Sequence, residues 1–268
     1  MKAKSNRILF TMVLVVMLCI SAITVPAQAA VGKGVNFVLI GGDGDSLRNP
    51  NNLFLQKVGN YSVESLCERL EFVRSIKGDY SIKTAMQQGN IAEGYLANLK
   101  GYNCVGGFSH GGESLFYLDM SNVNEVFLFD ACTKIPKVCN TPETCGRSWS
   151  EWAINQAANG INVHIYASND GSTDIAFASR NTINNLDSYS NDPSYLSSNG
   201  YAIIKLGEGL YQVCSEVSLG GTIEAVNVGG YHGKTCVNAI KNVLMSLMIP
   251  LIWCPKKAAH RNMGCFYL

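Results

Sequence analysis

The chain has 268 residues, of which 47% are hydrophobic and 15% charged. That composition excludes a disordered or collagen-like polymer and suits an ordinary globular core. A formal net charge of +1 excludes the electropositive surface that nucleic-acid binding requires.

The N-terminus has an order of its own. Lys2, Lys4 and Arg7 precede the apolar run from Ile8 to Val25, and Ala27 and Ala29 follow it. Basic, apolar and small-residue segments in this order predict a secretory signal peptide over 1–29, cut after Ala29, and hence a secreted, extracellular protein. The run is also long enough to span a bilayer, so the alternative is an uncleaved anchor, with membrane contact through this segment alone. Cys19 follows Leu18, a bulky residue that argues against a lipoprotein site. Without Lys2, Lys4 and Arg7 the net charge falls from +1 to −2. Residues 30–268 have the length of one domain.

Beyond the leader, Val35 to Ile40 is a short apolar run that reads as a buried strand, ended by "GGDGDS". Ser62 to Ile76 carries apolar residues at helical spacing, with Ser62 as a plain N-cap. Asn60-Tyr61-Ser62 fits a glycosylation acceptor. Thr84 to Leu99 is predicted as helix, Asn103 to Gly106 as strand and Glu113 to Met120 as helix. Glu125 to Phe129 reads as strand, Ser148 to Ala158 as helix and Ile161 to Ala167 as strand. Asn181 to Asn199 is polar enough for a surface excursion. Tyr201 to Leu206 and Ile223 to Val228 are further strands, and Cys236 to Met248 is a final helix stopped before Pro250. Strands alternating with helices predict an α/β domain with a mostly parallel central sheet flanked by helices.

Nine of the ten cysteines lie beyond the leader. In an exported chain they predict disulfides, one within Cys132, Cys139 and Cys145 and one between Cys254 and Cys265. No C-x-x-C spacing occurs, so no metal is expected.

Gly107-Phe108-Ser109-His110-Gly111 fits G-x-S-x-G between a predicted strand and a predicted helix. A tight strand-to-helix turn forces the serine backbone into a sparsely populated conformation. The residues two before and two after must then lack side chains so that strand and helix can approach. The turn lifts the Ser109 hydroxyl clear of the sheet. A serine needs a base, and four histidines are available. His110 adjoins the serine, His164 lies within a strand and His260 sits in a basic tail. His232, on a loop after a strand in "GGYHGKT", is the predicted base. Asp170 in "SNDG" is the first choice of orienting acid, with Asp130 in "VFLFDAC" and Asp174 as rivals.

Ser109, Asp170 and His232, each after a strand and in that chain order, resemble the α/β-hydrolase fold of esterases and lipases over Val35 to about Met248. The resemblance implies an acyl-enzyme on Ser109 and no cofactor. It implies an oxyanion hole from the backbone N–H of His110 and of Asp43 or Gly42. The loop departs from the family pattern, with Gly41-Gly42 where many members have His-Gly. "GGDGDS" also lacks the Lys and Ser/Thr of a P-loop. The expected substrate is a small-molecule or lipid ester. An amidase or thioesterase shares this framework. The alternative of another class is a disulfide-stapled extracellular binding protein in which the three side chains do not converge.

Overall fold

The run Val35–Ile40 forms β1, and all six of its residues are buried. It has no solvent face because parallel neighbours and helices cover it on every side. The structure is a computed structural model and describes residues 34–42, 53–74, 81–133, 139–192, 199–215 and 218–253. The expected leader, Asp43, His260, Cys254 and Cys265 lie outside those residues.

Ten strands occur among the described residues: β1, β2 (Lys57–Val58), β3 (Tyr61–Ser62), β4 (Cys67–Val73), β5 (Tyr102–Phe108), β6 (Glu125–Phe129), β7 (Asn162–Ala167), β8 (Tyr201–Gly207), β9 (Leu210–Ser215) and β10 (Leu219–Asn227). Five helices accompany them: α1 (Val63–Leu66), α2 (Ile82–Leu96), α3 (Pro142–Ala158), α4 (Asp174–Ser190) and α5 (Thr235–Trp253). Eight strands make one sheet in the order β4-β1-β5-β6-β7-β10-β9-β8. The six from β4 to β10 are mutually parallel, and β9 and β8 add antiparallel pairings at one edge. The fold is therefore α/β with a mostly parallel central sheet, as the alternation predicts.

Alternation along each strand separates two faces. Val38, Ile40, Val105, Val126, Leu128, Val163 and Ile165 pack against Ala92 and Leu96 of α2, Trp149, Ala153 and Ile154 of α3, and Ala178 and Leu186 of α4. The other face is aromatic. Phe37 meets Phe54 and Phe127, and Phe127 stacks on Phe129 and His164. Helix α5 covers this face, with Val243, Leu244 and Leu247 buried. Within the apolar run "VLMSLMIPLIW" core packing thus accounts for Val243, Leu244 and Leu247, while Met245 and Ile249 are exposed.

Four expectations need correction. The predicted helix from Ser62 ends after Leu66, and Cys67–Val73 continues as strand β4. Residues Asn36 to Ile40 of β1 supply a parallel partner for Arg69 to Val73, so sheet hydrogen bonding overrides the helical spacing. Ser62 is more than a plain cap, because Ser65 Oγ accepts from the Ser62 N–H in a reciprocal capping box. The polar stretch after Asn181 is helical as far as Ser190. Thr173 caps α4, and Ala178, Thr182 and Leu186 are buried at helical spacing beneath the asparagines and serines. Helix α5 passes Pro250 to Trp253.

Candidate active site

Strand β5 runs to Phe108, and a 3₁₀ run, Ser109–Tyr117, starts at once. Ser109 takes φ 53°, one of two positive values outside glycine among the described residues. Such a conformation costs roughly 1–3 kcal/mol and persists only where the surroundings enforce it. The glycines explain the enforcement. A Cβ on Gly107 would lie 2.8 Å from Gly112 Cα, and one on Gly111 would lie 2.3 Å from the Ile40 carbonyl oxygen. A Cβ on Gly112 would lie 2.0 Å from the Ala131 carbonyl oxygen. The backbone after the serine is thus pressed against the ends of β1 and β6. The loop after β1 is equally close, since a Cβ on Gly42 would lie 2.5 Å from Ser109 Cβ.

The other positive φ is at Asp130, 42°, directly after β6. Its side chain is wholly buried, and its Oδ1 accepts from the Ser168 N–H at 2.8 Å. Its Oδ2 accepts from the Thr235 hydroxyl at 2.8 Å and lies 3.2 Å from His232 Nδ1. His232 follows β10 and starts the short turn His232–Lys234 that leads into α5. Its Nε2 lies 2.9 Å from Ser109 Oγ. Phe108 stacks on the imidazole at 5.0 Å between ring centroids. Ser109, His232 and Asp130 therefore form one hydrogen-bonded chain at the carboxyl ends of β5, β10 and β6, where open α/β sheets place ligands.

Asp170 is close but bonded otherwise. Its Oδ2 accepts from the backbone N–H of His232 at 3.0 Å, and its Oδ1 accepts from the Ser172 hydroxyl and N–H. The Ser172 hydroxyl, with the two N–H donors, holds this carboxyl down to about 2. The expected Asp170–imidazole pairing is replaced by Asp130–imidazole, because the loop after β7 carries Asp170 past the ring to its backbone. Asp174 opens α4 in its first turn and makes no hydrogen bond or ion pair with His232.

His110, the other expected oxyanion contributor with Asp43, is the second residue of the 3₁₀ run. His164 is committed elsewhere, between Glu125 and Glu224 on the aromatic face. The sequence reading missed Thr235 and Ser168. Their hydrogen bonds to Asp130 come from residues 105 and 38 positions away, and no local pattern marks them.

Cys139 and Cys145 form a disulfide beside this region, one of the bridges expected within the cysteine-rich stretch. Cys132 stays a buried thiol, accepting from the Thr182 hydroxyl at 3.4 Å, and burial pushes it up to about 12. No group that could hold a metal occurs among the described residues, nor is any described helix long and apolar enough to cross a membrane. No protein-family profile, curated protein or solved structure matches the chain.

Proposed function

We propose that the chain is an exported serine hydrolase that cleaves carboxylic esters through an acyl-enzyme on Ser109. The observation that carries this reading is the hydrogen-bonded chain Ser109–His232–Asp130 on a serine held at positive φ. In this mechanism the Ser109 hydroxyl donates to His232 Nε2, and His232 Nδ1–H donates to Asp130. As Oγ attacks the substrate carbonyl carbon, its proton passes to Nε2 and the carbonyl π electrons move onto oxygen. Asp130 stays ionised, orients the ring and stabilises the imidazolium. Collapse of the tetrahedral species breaks the C–O bond to the leaving alcohol, which takes the proton from Nε2. Water then repeats the sequence on the acyl-enzyme, releasing the acid and restoring Ser109.

The oxyanion is assigned to the His110 N–H and to the loop after β1. Gly42 places this loop against Ser109, and Asp43 follows it. A donor of this kind is worth about 3 kcal/mol in the transition state. The chain order serine, aspartate, histidine, each after a parallel strand, supports the α/β-hydrolase resemblance. Here the acid comes from the strand next to the nucleophile's. The binding-protein alternative needs Ser109 and His232 apart, and 2.9 Å between them speaks against it.

The test is direct. Ser109→Ala should abolish turnover of a short-chain aryl ester with the thermal melt preserved, and a fluorophosphonate should label Ser109 and no other residue. Undiminished turnover by the alanine variant refutes the proposal.

A further inference from the structure

A cavity of about 480 Å³ opens beside the nucleophile turn. His110, next to Ser109, and Thr133, three residues beyond Asp130, are among the residues that line it. Ile82, Ile175 and Ala178 give it apolar walls. Two acids line it, Glu113 and Asp174, and no Lys or Arg does among the described residues. Glu113 is the unusual one. It lies one 3₁₀ turn beyond His110 and is only 6% exposed. Among the described residues no hydrogen bond or ion pair reaches its carboxyl group. Its carboxyl oxygens are not sealed in protein but open into the cavity, where a polar ligand can supply the partner that no protein group does.

We infer that this cavity receives an ammonium-bearing part of the substrate, held by Glu113, an inference that rests on Ser109 being the reacting nucleophile. The walls take the apolar body of the molecule, and the carboxylate takes its cationic end. Asp174 adds negative potential from α4, so an anionic substrate is repelled. Burial alone pushes the Glu113 carboxyl up to about 7, and an ammonium partner restores its ionised form. The titratable groups around it are His110 and Tyr117 of its own 3₁₀ run, Cys132 after β6 and Asp174 of α4.

The experiment measures how well three small molecules protect Ser109 from fluorophosphonate labelling. They are benzylammonium, neutral benzyl alcohol and anionic phenylacetate. Benzylammonium should protect at a concentration at least tenfold below that of benzyl alcohol, and phenylacetate should not protect. Glu113→Gln should bring the ammonium-to-alcohol ratio to within twofold of unity. In the unaltered protein the same ratio, taken at each pH to cancel changes in labelling rate, should rise between pH 6 and pH 8. That second reading decides the matter should the glutamine variant not fold. If Ser109 is not labelled at all, the hydrolase reading falls and this inference with it. If Ser109 is labelled but the alcohol or the acid protects as well as the amine, the inference alone is overturned. Retention of the preference by the glutamine variant, or a ratio flat with pH, overturns it too.

Discussion

At the residue scale the site turns on which carboxylate serves the imidazole of His232. Asp130 meets the ring nitrogen and Asp170 meets the backbone N–H of the same residue. The two roles separate by mutation. Asp130→Asn leaves the side chain's shape but removes the charge that selects the productive tautomer, so kcat for an aryl ester should fall about 10³–10⁴-fold. Asp170→Asn keeps an oxygen to accept the His232 N–H and should cost less than about tenfold. Equal losses in both variants, measured at saturating substrate, would return the acid's role to Asp170. Glu113 yields a stability prediction of its own. Burial raises its folded-state value above that of the unfolded chain. The sign follows from linkage: stability is greatest below the unfolded value, near 4.3, and falls as pH rises through about 7. Glu113→Gln should therefore stabilise the ligand-free protein by about 1–3 kcal/mol at pH 8 and by much less at pH 4, read from urea melts.

At the scale of elements, the glycines and not the serine dictate the turn. Gly111 sits where a Cβ would lie 2.3 Å from the carbonyl oxygen of Ile40, whose side chain is wholly buried in β1. Nothing there can give way, so Gly111→Ala should cost about 2–3 kcal/mol in chemical denaturation. Gly94, inside α2 with no atom within 4 Å of its notional Cβ, is the control. Gly94→Ala should stabilise by about 0.5–1 kcal/mol. The difference between these two glycines also shows what the sequence made legible. G-x-S-x-G between strand and helix signals could be read locally, because its glycines answer a steric demand set within a few residues. β6 was read without error from its apolar run. The strand β4 could not be, because Leu70 and Val73 continue a helical spacing that begins at Val63, and only pairing with β1 decides otherwise. β9 was missed for a related reason. Its partners β8 and β10 pair with a mixed sequence, Leu-Tyr-Gln-Val-Cys-Ser, in which Tyr211, Val213 and Cys214 are buried without strict alternation. The choice of Asp130 over Asp170 escaped local reading as well, since both follow a strand and only the path of the loop after β7 ranks them.

At the scale of the whole molecule, a second polar cluster ties the opposite end of the sheet together. Glu125 opens β6, about five residues and so roughly 16 Å of strand from Asp130. His164 on β7 bridges Glu125 and Glu224, at 3.1 Å and 2.8 Å. Ser246 of α5 donates to Glu125, Tyr102 of β5 donates to its other oxygen at 2.6 Å, and Tyr166 donates to Glu224 at 2.8 Å. The cluster thus fastens α5 to four strands, β5, β6, β7 and β10. Desolvation opposes protonation of His164, but the hydrogen bonds its ring donates to Glu125 and Glu224 outweigh it and push the imidazole up to about 9. The two carboxyls are held below their ordinary value by the same ring. At neutral pH the cluster therefore carries one cation between two anions, and that excludes His164 as a base for Ser246. The folded-state value of His164 exceeds the unfolded value of about 6.5, so its contribution is complete below pH 6.5 and is lost as pH rises through about 9. The buried thiols Cys104 and Cys132 add a loss only above their unfolded value, about 8.5. Between pH 6.5 and 8.5 the decline in unfolding free energy should come mainly from His164, on the order of 1–3 kcal/mol. His164→Gln should be less stable than the unaltered protein at pH 6.5, because two buried carboxylates lose their cation, and up to pH 8.5 its decline should be smaller than that of the unaltered protein, with the share from Glu113 remaining. A variant whose unfolding free energy declines in parallel with the unaltered protein over this window would show that the cluster does not hold its proton as described.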